Sequence, residues 1–129
     1  MFVTSDGHAA SRLQRLLEGE RGTVHQIRAL VAELPRPPDL ELALAICLGL
    51  LDREPDTFPR AAARWAGRFT LERKVTLSDA QLTLAALASL IDGKRSAGAE
   101  ALAALCQHYQ LERGEQLLAD WIDRRERRE

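Results

Sequence analysis

The chain has 129 residues and a mass of 14.4 kDa, is 46% hydrophobic and 29% charged, and sets 18 lysines and arginines against 19 acids. That size and mix fit one globular domain, long enough to bury roughly two-thirds of the surface its unfolded form exposes. The charge balance excludes the strongly basic signature of a nucleic-acid coat and the acidic signature of a solvating tail.

Alanine supplies 20 residues and leucine 22, against 14 for valine, isoleucine and threonine together. The first two are strong helix formers and β-branched residues favour sheets, so the expected fold is all-α. The high alanine, leucine and arginine content also resembles what a GC-rich bacterial genome encodes. Taken in chain order, Leu13, Leu16 and Leu17 share one helical face, and Val24, Ile27, Leu30, Val31 and Leu34 share another. Gly19 and Gly22 lie between them, and a short turn there is favoured over one continuous helix. Pro35, Pro37 and Pro38 form a firm stop. Asp39 then opens a segment over 40–53 that is apolar nearly all round, the mark of a central helix. Pro55 closes it and Pro59 restarts a helix over 60–71, with Ala62, Trp65, Ala66 and Phe69 inward. Thr76 and Asp79 approximate a capping box ahead of a helix over 77–91 that Gly93 ends. Ser96 is expected to cap a helix over 97–109, and a last helix runs over 112–127. No stretch alternates with period two, so no sheet is expected.

The sequence thus divides into an N-terminal helical arm (1–38), two helix pairs (39–74 and 75–110) and a C-terminal helix (111–129), all in one domain. About six helices in antiparallel pairs are expected, as a compact bundle or a short α-solenoid. A shift of 40 residues lays 42–73 over 82–113 with ten identities, among them Leu44 on Leu84, Asp52 on Asp92, and Leu71-Glu72-Arg73 on Leu111-Glu112-Arg113. The reading is an α-α hairpin used twice, each copy ending in a leucine that folds back over the last turn. Two helices without a polar face need cover on all sides, from the bundle's centre or from a partner chain.

Chemistry is sparse. His8, His25 and His108 have no metal-ligand spacing, and His8 is expected in a mobile N-terminal segment. Cys47 and Cys106 sit in apolar runs and read as buried core residues. Asp52 and Asp92 read as solvated carboxylates at hairpin turns. No nucleophile motif or phosphate loop occurs, so neither an enzyme, a cofactor nor a metal is expected. The longest apolar run, 42–51, is too short to span a membrane, and Met1 is not followed by a secretory signal, so a cytoplasmic protein is expected.

Arg60, Arg64 and Arg68 recur every four residues on one helix face, and Arg73 and Lys74 extend the charge. These five are the candidate partner-binding residues, suited to an acidic surface or to phosphates. The stretch from Gln81 to Tyr109 resembles a degenerate helix-turn-helix, although its second helix has no lysine or arginine within 97–109 to read bases. The favoured function is a non-enzymatic protein-protein interaction module, an accessory subunit or adaptor binding another protein or a second copy of itself. The alternative is a small nucleic-acid-binding regulator.

Overall fold

The computed structural model describes residues 5–19 and 22–128, with side chains from Ser11 onward. The described residues contain no strand and form seven α-helices: α1 (Ser5–Glu18), α2 (Val24–Glu33), α3 (Leu40–Arg53), α4 (Phe58–Glu72), α5 (Leu77–Ser89), α6 (Arg95–His108) and α7 (Glu112–Arg128), with one 3-10 turn at Pro55–Thr57. The count exceeds six because the N-terminal arm holds two helices. Thr23 opens the second with a full capping box: its hydroxyl accepts from the Gln26 N–H, and the Gln26 side chain accepts from the Thr23 N–H. His8, expected in a mobile segment, falls within α1, and its side chain lies outside the described residues.

Side-chain contacts fix the helix directions. Trp65 Nε1 donates to the Leu40 carbonyl at 2.8 Å, which lays the middle of α4 beside the start of α3. Phe58 and Pro59 at the start of α4 line one groove with Ala88 at the end of α5 and Ile91 just beyond it, so α4 and α5 are antiparallel. Gly98, at the start of α6, lies against the Ala86 carbonyl and Ser89 near the end of α5. The Ser96 hydroxyl faces Glu126, which makes α6 and α7 antiparallel. Finally α7 returns beside α3 in the same direction. Arg113 reaches Asp39 and Glu41 at their N-terminal ends, and Trp121 and Arg125 reach Asp52 at their C-terminal ends.

This arrangement makes α3 central. Leu40, Leu44, Ala45, Cys47, Leu48, Gly49 and Leu51 are buried, and α1, α2, α4 and α7 all touch the helix. The main core adds Phe58, Trp65, Phe69, Leu102 and Trp121, with Trp65 stacked on Phe69 at 5.0 Å and Tyr109 edge-on to Phe69 at 5.4 Å. The α1–α2 hairpin joins through a smaller cluster of Leu13, Leu17, Ile27 and Ala45.

Two expected caps differ. Ser96 does not cap α6, which starts one residue earlier, and the Ser96 hydroxyl turns to Glu126 instead. At Thr76 the hydroxyl accepts from the Asp79 N–H as a capping box requires, but the reciprocal bond is relayed. The Thr76 N–H donates to the Tyr109 hydroxyl, which itself donates to the Asp79 carboxylate. A residue from the far end of α6 thereby closes the start of α5.

The spacing of inward residues is 40 for one helix of each pair and not for the other. Ala62, Trp65, Ala66 and Phe69 of α4 superpose in burial on Leu102, Leu105, Cys106 and Tyr109, whereas on α3 and α5 the inward residues are 39 apart, as in Cys47 and Ala86, or Leu48 and Leu87. One residue of slip turns a helix position by about 100°. The identical leucines therefore part company, Leu44 facing the core and Leu84 facing solvent. The Leu-Glu-Arg exits also differ. Leu71 lies inside the last turn of α4 and is 82% exposed, so it does not fold back. Val75 takes that place, with Lys74 at φ 52° and the Val75 N–H bonded to the Thr70 carbonyl at 3.0 Å. After α6 the expected leucine does serve: Gln110 has φ 64°, and the N–H of buried Leu111 meets the Cys106 carbonyl at 2.7 Å. Both exits are Schellman caps.

Candidate functional site

The five candidate residues do not act as one stripe. Arg60 and Arg64 stand on the outer face of α4, exposed. Arg68 is occupied within the fold: its Nε donates to Glu72 at 2.8 Å and its Nη1 to the Pro38 carbonyl at 2.9 Å. It ties α4 to the segment that enters α3. Arg73 is the C-cap of α4 and Lys74 carries the left-handed turn that follows, both with exposed side chains. A helix advances 100° per residue, so steps of four drift by about 40° each, and over two steps the row rotates toward α3.

Beside Arg60 and Arg64 lies a surface that charge spacing alone does not reveal. The two uniformly apolar helices of the sequence have different fates. While α3 is enclosed, α5 forms an edge of the bundle, burying Thr83, Ala86 and Leu87 and leaving Leu77 78%, Leu82 57% and Leu84 51% exposed. The helix ends at Ser89 rather than at residue 91, and Ile91, in the turn that follows, is 44% exposed. Thr83 satisfies its buried hydroxyl by donating to the Asp79 carbonyl at 2.7 Å. Leu77, Leu84 and Ile91 are seven residues apart, with Gln81 and Ala88 between them, the spacing of a helix-packing seam. Between this seam and α4 runs an apolar groove of about 150 Å³, lined by Pro59, Ala62, Ala63, Leu84, Ala88 and Ile91. The heptad was the signal in the sequence that could have located it.

The other polar clusters join helices to one another. Asp52 is not a solvated carboxylate: its side chain is 11% exposed and accepts from Trp121 Nε1 at 3.1 Å and from Arg125. Asp92, its partner in the alignment, is exposed. Arg53 donates to four carbonyls, those of Leu16 and Gly49 at 3.1 Å and of Gly19 and Gly22 at 2.5 Å. Burial holds its pKa below the usual arginine value, with Arg124 and Arg128 adding to the shift and Asp52 opposing it. Arg113 is shifted upward, chiefly by its hydrogen bond to Glu41. Cys47 and Cys106 are buried as expected, and burial pushes each thiol up to about 12, so neither offers a thiolate at neutral pH.

Among the described residues no three histidine, cysteine, aspartate or glutamate side chains group in a way that could hold a metal ion, and no helix is long and apolar enough to cross a membrane. The second helix of the helix-turn-helix resemblance, α6, turns Ser96, Ala97, Glu100, Ala101, Ala104 and Gln107 to solvent. That face offers one glutamine amide, one serine hydroxyl and a repelling carboxylate to a duplex. No family model matches the chain, and neither a curated protein nor a solved structure matches it.

Proposed function

We propose that this chain is a non-enzymatic helical docking module, an accessory subunit or adaptor, that binds another protein across the face formed by α4 and α5. The observation that carries the reading is an apolar row along α5, where Leu77 and Leu84 stay exposed and Ile91 continues the row in the turn after the helix. Of the other large apolar side chains exposed among the described residues, Leu71 and Leu82 stand apart from this row. Fully burying one such side chain contributes about 1.5–3 kcal/mol, so three of them in one row form a strong adhesive surface. Arg60 and Arg64 supply the polar margin, and arginine is enriched at protein interfaces.

Site-specific cross-linking tests this. A benzophenone amino acid is placed at position 84, and separately at position 116 on exposed α7, in cells that naturally make the chain. The expected result is a discrete polypeptide adduct at position 84 and none at 116. Equal adducts at both positions, or none at 84, would contradict the reading.

A further inference from the structure

The charges around the α5 seam narrow the class of partner, an inference that rests on the docking reading above. Between Phe58 and Asp92 the basic side chains are Arg60, Arg64, Arg68, Arg73 and Lys74, and the acidic ones are Glu72, Asp79 and Asp92. Arg68 and Glu72 pair with each other, while Asp79 accepts from the neutral Tyr109 hydroxyl and so still counts among the acids. Arg60, Arg64, Arg73 and Lys74 are exposed against Asp79, Asp92 and, just before α4, the exposed Asp56 four residues from Arg60. Lys94, also exposed, adds a further cation just past the Ile91 end.

The apolar part has a shape as well as a sign. From Leu77 to Ser89 the helix rises about 18 Å at 1.5 Å per residue, and Ile91 extends the apolar row into the turn that follows. Ala63 and Ala88 floor the groove with small side chains. On the outer side of α4, a Cβ added at Gly67 would meet no atom within 4 Å, so a second backbone can approach closely there. Leucines at heptad spacing with small residues between them receive the knobs of one packed helix rather than an extended strand. We infer that the occupant is an amphipathic helix of another protein, roughly three to four turns long, whose apolar stripe lies along α5 and whose flanks carry glutamate or aspartate opposite Arg60, Arg64, Arg73 and Lys74.

A second copy of this chain fits less well. A two-fold contact through α5 presents the same surface from both sides, so the excess cations of each copy would face those of the other. An acidic helix removes that repulsion and gains bidentate guanidinium-carboxylate bonds.

The test uses the full-length chain and three synthetic 18-residue peptides. One has leucines at heptad spacing flanked by glutamates, the second has the same leucines flanked by lysines, and the third is the acidic peptide with a central proline. Binding is read by fluorescence anisotropy and mapped by amide chemical shifts. The expected result is that the acidic peptide binds about tenfold or more tighter than the basic one, with affinity falling as salt rises. The proline peptide does not bind, shifts centre on Ala63, Leu84 and Ala88, and the Arg60→Glu, Arg64→Glu variant inverts the preference. Equal binding of acidic and basic peptides would overturn the inference while the cross-link at position 84 still stood for the docking face. So would a concentration-dependent dimer in sedimentation that α5 substitutions dissolve, with no peptide bound, since the occupant would then be a second copy.

Discussion

Asp52→Ala is expected to destabilise the fold by about 3 kcal/mol, while Asp92→Ala changes it by no more than about 0.5 kcal/mol. The two aspartates occupy matching places in the 40-residue alignment, yet only Asp52 is enclosed. Its carboxylate holds Trp121 Nε1 and the Arg125 guanidinium, which also lies 5.2 Å from the centre of the Trp121 ring. Arg125 is 21% exposed, and its Nε is already buried without a partner, so removal of Asp52 takes away the opposite charge from a side chain that water reaches poorly. Leaving a charge in that state costs more than the pair itself contributes. Urea denaturation of both variants measures the difference, and equal effects at the two positions would show that the enclosed cluster contributes nothing.

Arg53→Met is expected to loosen the α1–α2 hairpin without dissolving the rest of the bundle. Methionine keeps an unbranched apolar stem and removes the four carbonyl contacts. Those carbonyls belong to the end of α1, to the turn that follows it and to α3, so one guanidinium caps one helix and fastens it to another. Hydrogen bonds from a charged donor contribute roughly 1.5–3 kcal/mol each, but bonds sharing one donor do not add, and about 3 kcal/mol in all is expected. Hydrogen exchange separates local from global loss. Amides in α1 and α2 should exchange about 100-fold faster, the equivalent of that energy at 1.4 kcal/mol per tenfold, with α4–α6 protected as before. Uniform acceleration across all seven helices would show that Arg53 supports the whole fold rather than the hairpin.

Most helices were legible because their signals are local. Proline at 38 and 59, threonine at 76, and the three-and-four spacing of leucines each act within a turn or two. What sequence alone could not supply was the rotation of each helix about its own axis. That rotation is set by long-range contacts such as Trp65 on the Leu40 carbonyl and the Tyr109 relay between Thr76 and Asp79. One residue of difference between the α3–α5 and α4–α6 alignments was enough to turn Leu84 outward, while Asp52 is enclosed by Trp121 and Arg125 of α7. The candidate site was half legible for the same reason. Arg60 and Arg64 could be placed on a face by counting, but Arg68 is claimed by Pro38, thirty residues away in sequence. Apolarity all round α5 marked it as needing cover, while only the packing shows which side lacks it.

The docking reading requires that the exposed leucines of α5 be dispensable for folding. The direct measurement is the urea denaturation midpoint of Leu82→Gln combined with Leu84→Gln, compared with the natural chain. The expected result is stability within about 0.5 kcal/mol of the parent, as for substitutions at solvent-facing positions. A loss of about 2 kcal/mol or more would place these side chains in the fold's own core and leave the surface without a partner to explain.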